Sequence, residues 1–270
     1  MNTTEPAVQA DIDAASAYEQ LFVPALFRQW APRVVAAARV QPGQRVLDVA
    51  CGTGVLAREA ASRVGPAGRV AGLDANRGMV TVASRLEPRV QWRTGTAEAL
   101  PFPDASFDAV VSQFGLMFFS DRIRALREML RVLRPGGRLA IAVWDDVVHI
   151  PAYAAEIALL ERMAGRSAAD ALRAPFVLGD PKALTSLLTD AGVADVALRT
   201  EHGTAHFPNV RAMVEADLRG WLPVLGVVLS EDQITGILEQ APSTLHAFVA
   251  ADGAVQFEMR AHIVTGTAAA

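Results

Sequence analysis

The sequence is poor in cysteine, lysine and long apolar runs, and each shortage excludes a class of protein. Cys51 is the only cysteine, so no disulfide can form within one chain. Lys182 is the only lysine, the net charge is −4, and no cluster of basic and aromatic residues indicates a nucleic-acid surface. The apolar residues are dispersed, and none of their runs approaches the roughly 20 residues of a membrane span.

The length and the first residues narrow the class further. At 270 residues the chain can bury a substantial core, which fits one α/β domain with an appended subdomain better than two equal domains. The first ten residues lack the basic and apolar regions of a signal peptide, which predicts a cytoplasmic protein. We therefore expect a small molecule as partner, with no nucleic acid and no membrane span.

A strand, a glycine turn and a helix are predicted within residues 46–61. The apolar start is typical of a parallel strand that is covered on both faces. Gly52 and Gly54 then remove side chains where a backbone approaches a ligand, and the helix that follows directs free N–H groups at the turn. Ala57 takes the place of a third glycine, and Asp74 follows at the end of the next strand. This arrangement predicts a cofactor that carries an adenosine, with its ribose hydroxyls on Asp74.

Asp48 distinguishes two cofactor classes that share this motif. A dinucleotide places its pyrophosphate at the helix N-terminus, where a carboxylate in the preceding strand would repel it. S-adenosylmethionine (SAM) has no phosphate and brings an ammonium and a sulfonium, which the carboxylate attracts. An alternative role for Asp48, hydrogen bonding to the turn backbone, stays open and is compatible with the first.

Later segments are predicted to complete the pocket and its cover. Residues 95–108 form a proline-bearing loop at the carboxyl edge of the sheet, and residues 113–119 follow the fourth strand as pocket floor or as core. Residues 1–40 form an N-terminal helical cover, whose part up to about residue 15 is expected to be either frayed or a light cap. Residues 208–252 form an apolar helical insertion before the last strand, which we interpret as a lid over an apolar acceptor or as a homodimer interface.

Three stretches in this order resemble the class I SAM-dependent methyltransferases, in particular the small-molecule branch that includes ubiquinone and menaquinone biosynthesis enzymes. They are residues 47–54 with Asp74, residues 97–108 and residues 133–137, and the resemblance extends over residues 18–144. It implies an α/β fold with a Rossmann-like, seven-stranded, mostly parallel sheet flanked by helices. The methyltransferase core would then comprise residues 41–207 and 253–270.

The resemblance also implies a set of cofactor contacts. The methionine part of SAM would contact Asp48, Ala50, Gly52 and Gly54, and its ribose would bind to Asp74. The adenine would lie beside Ala75 and Met79, with its amino edge at Thr96, Ala97 and Glu98. Gln113 would lie near the methyl donor and Tyr18 would contact the cofactor from the cover, and the product would be S-adenosylhomocysteine (SAH). Family members often carry an aspartate where this chain has Thr96, so that contact would pass to the backbone or to Glu98. Met79 could equally belong to the core.

The predicted chemistry is in-line transfer of a methyl group from a sulfonium, which depends on alignment and exclusion of water more than on a base. For an oxygen acceptor, which we prefer slightly over carbon or nitrogen, His149 after the fifth strand is the candidate base, with a structural role as the alternative. No metal-ligand spacing is present, and Cys51 is interpreted as a packed residue. The alternatives are a non-catalytic SAM-binding regulator or scaffold and an NAD-dependent oxidoreductase.

Overall fold

The protein folds around one seven-stranded sheet, in a computed structural model that describes residues 4–268, with side chains from residue 9. The strands are β1 (Arg45–Val49), β2 (Arg69–Asp74), β3 (Gln91–Thr94), β4 (Phe107–Gln113), β5 (Leu133–Trp144), β6 (Ala194–Phe207) and β7 (Val255–Thr267). Their spatial order is β3-β2-β1-β4-β5-β7-β6, and only β7 runs antiparallel to its neighbours. The predicted α/β, Rossmann-like, mostly parallel architecture is confirmed.

The strand order reverses beside β1, and this position determines where a ligand can enter. The chain leaves β1 on one side for β2 and β3, and then returns to the other side of β1 with β4 and β5. The loops after β1 and β4 therefore diverge and leave a crevice at the carboxyl ends of the strands. Strands β1 and β4 are buried along almost their whole length, as their apolar sequences predict.

Eleven α-helices accompany the sheet in the described part of the chain. They are α1 (Thr4–Phe22), α2 (Ala31–Ala37), α3 (Val55–Val64), α4 (Arg77–Leu86), α5 (Arg122–Val132), α6 (Pro151–Ala164), α7 (Arg166–Arg173), α8 (Pro181–Ala191), α9 (Val210–Ala216), α10 (Leu222–Val224) and α11 (Glu231–Thr244). None of the helices in residues 4–268 combines the length and apolarity needed to cross a bilayer.

The N-terminal cover is more ordered than the sequence suggested. Fraying to about residue 15 is wrong for the described residues, because α1 begins at Thr4, while residues 1–3 lie outside them. Ile12 and Ala15 pack with Val82 of α4 in a small apolar cluster. Gly78 permits this contact, since a Cβ there would lie 2.3 Å from the Asp11 carbonyl oxygen. This cluster therefore joins the first helix to α4.

The N-terminal cover bends at its two prolines. Helix α1 continues into a π-helical turn at Val23–Phe27, which contains Pro24, and then a 3₁₀ turn at Arg28–Trp30. Pro32 lies in the first turn of α2, where its missing N–H has no helical partner to lose. The bends bring Tyr18 and Phe27 together, with ring centroids 5.3 Å apart.

The helices outside the core come from two insertions that pack on each other. Helices α6 and α7 follow β5, and α9 to α11 follow β6 with a π-helical turn at Asp217–Trp221. Helix α11 packs against α6, and the Trp221 indole N–H donates to the Ala171 carbonyl oxygen at 3.2 Å. The predicted continuous helical run is broken between Leu225 and Ser230, where a capping box with Gln233 starts α11.

Candidate active site

The glycine turn between β1 and α3 contains three residues with left-handed backbone conformation. Their φ angles are +57° at Ala50, +53° at Gly52 and +87° at Gly54, which is the N-cap of α3. The Gly54 N–H donates to the Cys51 carbonyl oxygen at 2.8 Å and closes the turn. The first turn of α3 then presents backbone N–H groups towards the crevice.

Trp92 of β3 explains why two positions below the turn are glycines. A Cβ at Gly54 would lie 2.4 Å from the Trp92 ring, and a Cβ at Gly72 of β2 would also lie 2.4 Å from it. The indole is fixed because its N–H donates to the Glu87 carbonyl oxygen at 2.8 Å. Gly54 is therefore needed for packing beneath the turn, and it does not line the cavity described below, in contrast to its predicted contact with the cofactor.

Asp48 is a buried carboxylate that lies near one backbone donor, the Ala57 N–H, without a well-formed hydrogen bond to it. Its side chain lies in β1 with 1% of the residue exposed, and neither carboxylate oxygen is hydrogen-bonded within the described residues. Burial raises the pKa of Asp48, the N–H of Ala57 opposes this, and the charge of Asp74 adds to it. Such a group is stabilised by a ligand that brings a positive charge or hydrogen-bond donors.

Asp74 joins the two loops that border the crevice. One of its carboxylate oxygens accepts from the Gly52 N–H at 2.8 Å, and the other accepts from the Asn76 N–H at 2.9 Å. Burial raises the pKa of Asp74, and these backbone donors partly offset the effect. Each oxygen retains a second lone pair, so the carboxylate can still accept hydrogen bonds from a ligand hydroxyl.

A cavity of about 530 Å³ occupies the crevice and brings most of the predicted site together. Thr53, Leu56, Leu73 and Asn76 are among the lining residues that were not predicted as contacts. Eleven of the twelve predicted cofactor residues line it, and they are Tyr18, Asp48, Ala50, Gly52, Asp74, Ala75, Met79, Thr96, Ala97, Glu98 and Gln113.

Glu98 and Gln113 are both held by neighbouring backbone. One Glu98 carboxylate oxygen accepts from the N–H and the hydroxyl of Ser120, each at 2.9 Å. Burial acts to raise the pKa of Glu98, but hydrogen bonds from its own N–H and from Ser120 outweigh burial and lower this pKa. The Gln113 side-chain amide donates to the Phe27 carbonyl oxygen at 3.1 Å, and its own oxygen is buried without a partner in the described chain. Gln113 therefore joins the end of β4 to the N-terminal cover.

A second, inner chamber of about 70 Å³ adjoins the first cavity. A buried water needs roughly 10–15 Å³ of cavity volume, so the inner chamber has room for about five waters, or about one six-membered ring. Aromatic side chains dominate its wall, and Asp217 is its only charged lining residue within the described chain. Five residues line both spaces and form the boundary between them, and they are Tyr18, Phe27, Phe114, Phe118 and Trp221.

One acidic residue that lines the inner chamber, and a second that is buried outside its lining, were not predicted from the sequence. Asp217 lines the chamber and is 3% exposed, whereas Glu156 is fully buried and interacts electrostatically with Asp217. Glu156 could have been found, since Tyr153 and Leu160, three positions before it and four after it, share its helix face and mark that face as buried. Asp217 has no comparable signal, because it lies in a π-helical turn that shifts the helical period.

His149 lies away from both cavities. It ends a 3₁₀ turn after β5, its side chain is 46% exposed, and its Nδ1 lies 3.2 Å from a carboxylate oxygen of Asp145. Asp145 is buried and also faces Arg260 and His262, at 3.0 and 3.2 Å. The turn directs the imidazole to this ion-paired cluster, so the structure brings no histidine to the lining of either cavity within the described residues.

Cys51 and the carboxylates form no group suited to a metal ion. Within residues 4–268 no three His, Cys, Asp or Glu side chains are grouped as metal ligands. Cys51 is buried, and burial followed by the charges of Asp48 and Asp74 raises the pKa of its thiol. A thiol held in its protonated form is a packed residue and a poor nucleophile.

Comparisons with known proteins show similarity to methyltransferases. A family model described as a methyltransferase domain matches residues 47–141, which include the glycine turn, Asp74 and β4. The chain is 38% identical over 187 residues to the demethylmenaquinone methyltransferase of Renibacterium salmoninarum, covering 65% of this chain and 77% of that relative. It is 47% identical over 122 residues to the ubiquinone/menaquinone biosynthesis C-methyltransferase UbiE of Ectopseudomonas mendocina. That match covers 43% of this chain and 48% of the relative, so the chain spans about half of its length.

Solved structures share the fold at low identity. The YcgJ protein of Bacillus subtilis has a TM-score of 0.58 and 21% identity, over 90% of this chain and 99% of that one. A phosphoethanolamine N-methyltransferase of Haemonchus contortus, solved with phosphomonomethylethanolamine and SAH, has a TM-score of 0.58 and 19% identity. The alignment covers 95% of this chain and 57% of that one. At these identities the likeness establishes the fold alone.

Proposed function

We propose that this chain, which belongs to the class I SAM-dependent methyltransferases, transfers a methyl group from SAM to a hydroxylated aromatic ring. The observation that carries the proposal is the inner chamber, which is walled by aromatic side chains, has room for about one ring and shares five lining residues with the cofactor cavity. Aromatic walls favour a flat aromatic ligand by stacking and edge contacts.

The cofactor is SAM, and the residues present fit it. Asp48 offers two unpartnered carboxylate oxygens to a cationic group, and Asp74 retains lone pairs for ribose hydroxyls. Ala75 and Met79 provide an apolar wall beside Asp74. When bound, SAM supplies a methyl group on a positively charged sulfur, which makes that carbon electrophilic. An NAD pyrophosphate would instead meet the buried Asp48 carboxylate, which disfavours the oxidoreductase alternative.

The acceptor atom is proposed as a ring carbon activated by a neighbouring hydroxyl, with the hydroxyl oxygen as second candidate. The names of the two relatives support carbon, because one is a C-methyltransferase and the other acts on demethylmenaquinone. Oxygen, the preference from the sequence, is supported by no comparison. Both routes need the ring aligned with the cofactor and water excluded, which the apolar boundary residues Phe114, Phe118 and Trp221 provide.

The residues of the lid and the cover are proposed to close the site. Trp221, Val224 and Leu225 of the insertion line the cofactor cavity, and Tyr18 lines it from α1. These contacts support the lid interpretation of residues 208–252 over a homodimer interface. They also predict that the acceptor is small and largely apolar.

Cofactor binding is tested by calorimetric titration with SAM, SAH and NAD. We expect SAM and SAH to bind the unaltered protein and Asp48→Asn to weaken both by roughly 10- to 100-fold, as for loss of a hydrogen bond to a charged group. Asp190→Asn, which alters an exposed acid of α8, is the matched control and should bind normally. Binding of NAD without SAM would refute the proposal.

Transfer is tested with methyl-labelled SAM and a panel of mono- and dihydroxylated benzenes and naphthalenes. Mass spectrometry and proton NMR of the product then locate the label on carbon or on oxygen. SAM binding without transfer to any ring in the panel would favour the regulator or scaffold alternative. Transfer to aliphatic amines in preference to hydroxylated rings would contradict the assignment of the acceptor.

A further inference from the structure

Two buried carboxyl groups, one of which lines the inner chamber, have no counter-charge within the described residues. Asp217 lines the chamber, is 3% exposed, and has one carboxylate oxygen that is buried and unpartnered within the described chain. Glu156 of α6 does not line the chamber but is close enough for the charge of Asp217 to act on it, and it is fully buried with both oxygens unpartnered in the same residues. No lysine or arginine among the described residues lines either cavity.

This arrangement is costly for folding and therefore points to a ligand. A buried carboxyl without hydrogen bonds destabilises a protein, and two of them close together repel when both are ionised. Replacing both with apolar residues would be expected to stabilise the fold. A group on the bound acceptor that donates a hydrogen bond would satisfy Asp217, which is the member of the pair that reaches the chamber.

We propose that Asp217 accepts the proton of the acceptor hydroxyl and that Glu156 is its positioning residue. This inference rests on the proposed function in that the inner chamber must be the acceptor site. The proton acceptor would then belong to the lid, in place of His149 after β5, which the sequence had indicated as the candidate base.

The proposed step is a proton transfer that leaves the total charge unchanged. The O–H bond of the ring hydroxyl breaks, the proton forms an O–H bond with the ionised carboxylate of Asp217, and the electron pair stays on the ring oxygen. That negative charge is shared with the ring carbons ortho and para to the oxygen, which increases the nucleophilicity of oxygen and carbon alike. After reaction at oxygen, Asp217 releases the proton to water. After reaction at carbon, the proton of that carbon leaves to water and the oxygen recovers its own.

The surroundings of the pair suit this role. Burial raises the pKa of Asp217, and burial together with the charge of Asp217 raises the pKa of Glu156. Because two interacting carboxyl groups in an apolar site do not both ionise, the pair holds at least one proton, and Asp217, which lines the chamber, is the member placed to exchange a proton with a ligand. Tyr153 and Tyr18 are the other titratable groups of the chamber, and burial raises the pKa of both hydroxyls, so they stay neutral.

The test uses 4-nitrophenol as a ring-sized probe, because its phenolate is coloured, and protein saturated with SAH so that no turnover occurs. Below the pKa of the free probe, we expect the bound probe to show the phenolate band in the unaltered protein. Asp217→Asn should abolish the band and weaken binding by about 10- to 100-fold. Glu156→Gln should shift the pH at which the band appears. Glu161→Gln, at an exposed acid of the same helix, should change nothing.

The outcomes separate this inference from the proposed function. SAH titration of each variant reports whether the fold and cofactor site are intact, and failure of SAH to bind the unaltered protein would refute the proposed function itself. If SAH binds but 4-nitrophenol does not, or if 4-nitroanisole, which has no hydroxyl proton, binds equally well, the inference is overturned. It is also overturned if benzylamine binds in preference and depends on Asp217, since the pair would then recognise a cation.

Discussion

Replacing Gly54 with alanine tests the reason for a glycine at the start of α3. The residue has φ +87°, and its Cβ would lie 2.4 Å from Cη2 of Trp92. A left-handed conformation costs an alanine roughly 1–2 kcal/mol, and overpacking of a filled site costs roughly 1–3 kcal/mol. We therefore expect Gly54→Ala to lower the free energy of unfolding by about 2–5 kcal/mol.

Two other glycines isolate the two contributions. Gly43 has a similar φ of +82°, and no atom lies within 4 Å of the point that its Cβ would occupy, so Gly43→Ala measures the backbone cost alone. Gly72 does not have a left-handed φ, but its Cβ would also lie 2.4 Å from Trp92, so Gly72→Ala measures mainly the steric cost. The effect of Gly54→Ala should approximate the sum of the two.

The assay is urea unfolding followed by circular dichroism, with each glycine variant made also in a Trp92→Leu background. Removing the indole should abolish the steric part, so that Gly54→Ala then costs about as much as Gly43→Ala. The coupling between positions 54 and 92 should amount to about 1–3 kcal/mol. An equal cost of Gly54→Ala with and without the indole would refute the reasoning, and so would a cost no larger than that of Gly43→Ala.

Three further predictions concern single side chains. Because its pKa is raised, Cys51 should react with iodoacetamide at neutral pH far more slowly than a free thiol, as followed by mass spectrometry, and SAH should slow the reaction further. The native pKa of Asp217 lies above its unfolded value of about 4. The free energy of unfolding should therefore fall as the pH rises from the unfolded pKa through the native pKa. The expected loss is about 1.4 kcal/mol for each pH unit between the two pKa values. Urea unfolding should show this loss in the unaltered protein and a smaller one in Asp217→Asn. Arg131→Ala should lower the free energy of unfolding by about 1–3 kcal/mol in the same assay, because the guanidinium donates hydrogen bonds to the carbonyl oxygens of Leu100 and Phe102. Arg131→Lys should retain only part of this stabilisation.

The cofactor side of the site was predictable because backbone geometry determines it. Asp48, Gly52 and Asp74 lie at or just after the carboxyl ends of adjacent parallel strands, and such ends meet at one edge of a sheet whatever the rest of the chain does. The periodicity of the apolar residues indicated those strands. The role of Gly54 was not predictable in the same way, since the reason for it is a ring on β3 that contacts it only after the sheet has formed.

His149 shows where proximity in sequence misleads. It follows the end of β5 closely, but an Asp146 carboxylate oxygen accepts from the Val148 N–H and starts a 3₁₀ turn, which directs the imidazole to Asp145. The sequence locates the end of a strand to within a few residues, whereas the direction of a side chain after it depends on one local turn. For this reason a residue that closely follows a strand end can lie outside the cavity.

The inner chamber depends on long-range packing, which is why no motif indicated it. Its wall combines residues of α1, of the segments after β4 and β5, and of the π-helical turn beyond β6, so its chemistry exists only after two insertions have docked on the sheet. The π-helical turn at Asp217–Trp221 changes which residues of the insertion face inwards, and it places an acid and an indole in the same chamber. A side chain that satisfies no structural need and destabilises the fold is best explained by its ligand. In this protein the buried carboxyls of Asp217 and Glu156 are therefore best explained by an acceptor that gives up a proton.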